Sequence, residues 1–179
     1  MATVTVLYLA HLIADFPLQT NRIFELKAQG NRGILLHVGV HLLVAAVLIQ
    51  NSYRYWYILL LLGIMHFAID WAKLRLPWRR QAPGFILDQF AHVASVLLLA
   101  GLWPDVPAVM PLWLMWLGIV MILVPATLMF LWVWATDLQM DLPENDLVKW
   151  ACRSLLPLSQ RVGSVFVIAL LVTNILYLV

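Results

Sequence analysis

The stretch Tyr55–Trp71 reads YWYILLLLGIMHFAIDW. It is apolar over a length that suits a membrane crossing, about 17–25 residues. Near its end it carries His66 and Asp70, four positions apart. That spacing places both side chains on one helix face, one turn apart. Three other pairs repeat it: His11/Asp15, His37/His41 and Asp88/His92. All five histidines and three of the nine acids belong to these pairs. The rest of the chain reads as a scaffold that brings four polar helix faces together inside a membrane.

Composition supports that setting. Of 179 residues, 64% are hydrophobic and 11% charged. Soluble domains run at about 45–50% apolar and about 25% charged. A net charge of +2 without a basic run argues against nucleic acid as a partner. One cysteine, Cys152, excludes an internal disulfide and a thiolate cluster, and reads as a small buried or interfacial residue. The first residues lack the basic region of a signal peptide, so the first apolar run is expected to be retained.

Six runs are long enough to span: about 2–18, 33–49, 55–71, 85–103, 110–134 and 162–179. The expected fold is therefore all-α, a polytopic membrane bundle of about six transmembrane helices. It is expected to form one membrane domain over 1–179. A four-helix core covers about 2–103, and two additional helices about 108–179. The connection 19–32 is polar and predicts a short helix. Segment 137–161 reads equally as an interfacial amphipathic helix or as a structured loop.

With six spans, the connections after the first, third and fifth share one side. They hold ten of the eleven Lys and Arg residues, and only Arg54 lies on the other side. The positive-inside rule makes the rich side cytoplasmic and puts both termini outside or in the periplasm. All four pairs then fall at similar depth, in the cytoplasmic half. His11/Asp15 and His66/Asp70 come late in inward helices, and His37/His41 and Asp88/His92 early in outward ones.

An Asp at the centre of a membrane helix costs about 2.5–3.5 kcal/mol on insertion scales. Three Asp and five imidazoles need compensation. A metal site answers this directly, since imidazole and carboxylate suit divalent transition ions. Zinc comes first, with manganese or iron as alternatives. The candidate ligands are His11, Asp15, His37, His41, His66, Asp70, Asp88 and His92. They could hold two ions, or one ion with orienting carboxylates around it. His41, paired only with another histidine, is the least secure. A proton or ion relay would use the same residues, but the outer helix halves offer no polar path. A third reading has the pairs glue helices together, for an average of about 0.6 kcal/mol per contact.

Asp70, Asp88, Gln89 and Lys73 are the candidate catalytic residues. A carboxylate free of metal could act as base. Gln19 and Gln89 could orient water or substrate, or cap backbone. Lys73 could neutralise a phosphate, snorkel to the boundary, or pair with Asp70 as a boundary salt bridge. Trp113, Trp116, Trp132 and Trp134 read as interfacial belts.

Four segments in order carry a resemblance: His11-Leu-Ile-Ala-Asp15-Phe-Pro-Leu-Gln19, His37, His66-Phe-Ala-Ile-Asp70-Trp-Ala-Lys73, and Phe85-Ile-Leu-Asp88-Gln89-Phe-Ala-His92. Over about the first hundred residues the chain resembles a bacterial membrane-protein family known as domain of unknown function 3307. The resemblance implies fold and site but no reaction. The layout is also distantly similar to membrane-bound metal-dependent hydrolases. The expected function is a metal-binding protein of the bacterial inner membrane, acting as a hydrolase on a lipid or lipid-linked phosphoester at the cytoplasmic leaflet. The alternatives are a metal-ion or proton transporter or sensor, and a non-catalytic partner subunit with a structural metal.

Overall fold

The computed structural model describes residues 2–178, so Val179 of the expected sixth span lies outside the described residues. The described chain is 84% helical and has no strands. Seven helices follow one another: α1 (Ala2–Asp15), α2 (Asn21–Gln29), α3 (Asn31–Leu48), α4 (Trp56–Arg75), α5 (Gln81–Leu102), α6 (Leu112–Gln139) and α7 (Asp146–Leu178). A 3-10 turn at Ser52–Tyr55 leads into α4. The helices α3 to α7 are long and apolar enough to cross a membrane. Their outward faces present Leu43, Val47, Leu60, Ile64, Leu97, Val120 and Ile168. The fold expectation of a polytopic helix bundle holds.

The expected first span ends early, at Asp15. Pro17 disfavours helical backbone at Phe16 and has no N–H of its own to continue the ladder. At 14 residues α1 is about 21 Å long, short against a hydrocarbon core of about 30 Å. It compensates by position, since it is the central post of the bundle. Nearly every residue from Thr3 to Asp15 is buried, packed among α3, α5 and α6. Thr3 fixes its start: the hydroxyl donates to the Trp103 carbonyl at 2.6 Å and accepts from the Val106 N–H at 2.9 Å.

Two sets of contacts define the ends of the bundle. At one end the connections after α3 and α5 meet, where the Gln50 N–H donates to the Pro107 carbonyl and the Val109 N–H to the Leu48 carbonyl, both at 2.9 Å. At the other end Arg80 reaches the Asp141 carboxylate at 2.7 Å and also donates to the Asp137 carbonyl. The Asp137 carboxylate caps α5 from outside, accepting from Gln81 N at 2.8 Å and Ala82 N at 2.7 Å. This answers the unpaired N–H groups of a helix start.

Segment 137–161 is mostly helix rather than loop. Most of it is the first half of α7, which runs unbroken for 33 residues, about 50 Å. Val148, Leu155 and Ser159 are buried on this part of the helix, and Ser159 Oγ donates to the Pro125 carbonyl at 2.7 Å. The pair α6/α7 forms the most extensive helix contact of the fold.

Between α2 and α3 the chain turns at Gly30, whose φ of 142° is closed to ordinary side chains. Three residues on, Gly33 lets α2 lie directly on the first turn of α3. A Cβ there would collide with the Leu26 carbonyl.

Candidate metal centre

Four helices deliver the pairs to one place. α1 contributes His11 and Asp15, α3 His37 and His41, α4 His66 and Asp70, and α5 Asp88 and His92. All eight are buried. The imidazoles crowd together, with ring centroids 3.7 Å apart for His41/His66, 4.1 Å for His66/His92 and 4.8 Å for His11/His92. His41 is as deep in the cluster as the others.

Two carboxylates organise the cluster in different ways. Asp15 is hydrogen-bonded. Its Oδ1 lies 3.0 Å from His37 Nε2 and 2.9 Å from His41 Nε2, and its Oδ2 accepts from Gln89 Nε2 at 3.0 Å. Gln89 also meets His11 Nε2 at 3.2 Å through its own Oε1. Asp70, fully buried, faces imidazoles without hydrogen bonds. His66 Nε2, His37 Nε2 and His92 Nε2 stand 3.5, 3.7 and 3.8 Å from its oxygens. Asp88 Oδ1 is 3.5 Å from His92 Nε2.

The boundary pair between Asp70 and Lys73, one of three alternatives for Lys73, does not form. Lys73 instead crosses to α5 and donates to Asp88 Oδ2 at 2.7 Å. The cation beside Asp70 is Lys27 of α2, whose Nζ forms an ion pair with Oδ1 at 2.6 Å. Sequence reasoning missed Lys27, counting it among the orientation charges. Burial works against its ammonium, but Asp70, Asp15 and Asp88 outweigh this and hold its pKa above the usual lysine value.

Several polar atoms of the cluster are buried with neither a hydrogen bond nor a close ion pair: His37 Nδ1, His66 Nε2, His92 Nε2, Asp70 Oδ2 and Asp88 Oδ1. Each such atom ordinarily costs about 1–3 kcal/mol. Helix glue would satisfy its own donors and acceptors, so these atoms speak against that reading. They suit a cation that accepts several lone pairs at once. Three overlapping sets have donor atoms within 4.8 Å of one another: Asp15/His37/His41/His66, His11/His66/His92 and Asp15/Asp88/His92. Neutral imidazole with carboxylate is a donor set for divalent transition ions. The buried groups can hold a metal ion, and their chemistry does not fix its identity.

A cavity of about 360 Å³ opens onto the cluster from the α2 side. Asp15, Asp88, Gln89, Lys27 and Lys73 line it together with Gln19. Its apolar wall comes from Phe16, Phe24, Phe85, Met129, Trp132 and Leu156. The last two helices therefore form one side of the cavity. Trp132 is more than an interfacial belt residue: its indole N–H donates to the Cys152 carbonyl at 3.1 Å and its ring walls the cavity. Away from this end, Leu7, Leu9, Ile58, Leu62, Val96 and Leu99 close the bundle with a continuous apolar core.

Fold and site together define a membrane helix bundle with a buried His/Asp centre. Residues 3–117 match the family model described as protein of unknown function DUF3307, and the chain belongs to that family. The matched region contains every residue of the centre and ends early in α6. No curated protein and no solved structure matches the chain.

Proposed function

We propose that the protein is a metal-dependent hydrolase of a bacterial inner membrane, acting on a lipid or lipid-linked phosphoester at the cytoplasmic leaflet. The observation that carries this reading is the set of buried His and Asp atoms without hydrogen bonds, reached through Asp88 from a mostly apolar cavity. His11, His37, His41, His66, His92, Asp15 and Asp70 would hold one or two divalent ions, zinc before manganese or iron, which leaves Asp88 free of metal. A bound ion supplies Lewis acidity toward water and a phosphoryl oxygen.

The protein's own residues do the rest. Asp88, held between Lys73 and His92 and facing the cavity, takes the proton of the attacking water. Gln89 bridges His11 and Asp15 and fixes the orientation of both. Lys73 meets the anionic group of the substrate. The apolar wall receives the first methylenes of its chain. The closed apolar core beyond the centre disfavours a transport path, which would need polar groups along the whole depth.

The test is release of product from a lipid-linked phosphoester by purified protein, with and without chelation. Loss of turnover on chelation and its return with a divalent ion are expected. Turnover that ignores chelation refutes the proposal. Reporters inserted beside Arg80 and beside Asp105 should report the cytoplasm and the opposite side respectively, and the reverse result would move the substrate to the other leaflet.

A further inference from the structure

We infer that Lys27 and Lys73 form an anion-binding subsite beside the metal centre, selective for a singly charged phosphodiester head on an amphiphile. This rests on the metal-centre reading above and assigns the substrate's charge class.

The geometry comes first. Lys27 is buried, and its Nζ lies 2.6 Å from Asp70. Lys73 is partly exposed, and its Nζ lies 2.7 Å from Asp88. Both line the same cavity, whose other wall is apolar. A cavity of about 360 Å³ accommodates a head group and the start of a chain.

Charge decides the rest. Asp15, Asp70 and Asp88 bring three negative charges, and the two lysines bring two positive ones. Metal-bound imidazoles are neutral. Glu25 also lines the cavity but is exposed to solvent at its mouth. These three carboxylates and two lysines sum to one net negative charge, and one divalent ion turns this into one net positive charge. Uncompensated charge in a poorly solvated site is costly. A monoanion closes the balance. A neutral ester leaves it open, and a dianionic monoester overshoots it. Two ions would instead favour the more highly charged ligand.

Lys27 depends on backbone as well as charge. The Gly33 contact that seats α2 on α3 is what brings its ammonium to Asp70. Gly33→Ala places a Cβ against the Leu26 carbonyl, so α2 must shift and carry Lys27 away. This variant disturbs the subsite without removing a charge.

The experiment uses full-length protein in phosphate-free maltoside micelles at pH 8, loaded with one divalent ion per chain. Metal content is measured for every sample. Calorimetric titration compares dihexanoyl phosphatidylglycerol, dihexanoyl phosphatidic acid, dihexanoylglycerol and inorganic phosphate. Phosphatidylglycerol is expected to bind at least about tenfold tighter than each of the others, the worth of one charged hydrogen bond. Lys27→Met and Gly33→Ala should each weaken it by about 10–100-fold with metal content unchanged, while Lys27→Arg retains most of the affinity. Equal binding of diester and neutral lipid overturns the inference. So does tighter binding of the monoester or of free phosphate, or an unchanged preference in Lys27→Met. If that variant fails to fold, an unchanged preference in Gly33→Ala overturns it equally. Wild type that takes up no metal refutes the metal-centre reading and this inference with it. Wild type with metal but no charge preference refutes this inference alone.

Discussion

Asp70→Asn is expected to lower metal affinity by about 10–100-fold, whereas Lys73→Met keeps the metal. The substitution holds volume nearly constant and removes one charge. Asp70 is completely buried, and three imidazole nitrogens stand within 3.8 Å of its oxygens, none hydrogen-bonded to it. It also faces Lys27, so the variant strands a buried ammonium. Breaking one side of a buried ion pair costs about 3–5 kcal/mol, and apo Asp70→Asn should be markedly less stable than apo wild type. Lys73 differs because its side chain is 27% exposed and water can replace much of what Asp88 gives it. Lys73→Met should keep full occupancy and weaken only the use of an anionic substrate. The measurement is metal per polypeptide in both variants beside wild type. Full occupancy in Asp70→Asn would remove Asp70 from the ligands.

Leu9→Ala is expected to cost about 1–3 kcal/mol, against nearly nothing for Leu43→Ala. Leu9 is 0% exposed and sits where α1 meets α6 and α7: a Cβ at Gly118 would come 3.1 Å from its Cδ1 and 3.0 Å from Leu170. Leu43 is 66% exposed on the outer face. In a membrane the unfolded helices already lie in hydrocarbon, so the transfer component of a Leu→Ala change vanishes. The cavity component remains. The two variants separate helix packing from bulk hydrophobicity, because they delete the same atoms. Thermal unfolding in detergent reads the difference. Equal loss in both would contradict the central position of α1.

The convergence of the four pairs was legible because it needs only two periodicities. The i, i+4 spacing puts each pair on one face, and alternating spans put the four faces at one depth. What sequence hid is what tertiary geometry decides. Lys27 looks like any lysine of a polar connection, and its place beside Asp70 follows from the turn at Gly30 and the close seat at Gly33. Lys73 lies three residues from Asp70 along α4, which suggested a local pair. Its long side chain instead reaches across to α5. Mixed acids, bases and apolar residues left 137–161 readable as amphipathic helix or loop, and burial of Val148 and Leu155 goes with the helix at 146–161. The length of α1 was overestimated because residues 16–18 are apolar, while Pro17 ends the helix.

The central claim is that these His and Asp side chains bind a divalent ion directly. X-ray absorption at the metal edge tests it on wild-type protein purified without chelators. Bound metal is expected with a first shell of nitrogen and oxygen at about 2.0–2.2 Å, including the scattering of several imidazoles, and loss of that shell in His66→Ala. Protein that carries no metal, or metal surrounded only by water oxygens, would contradict it.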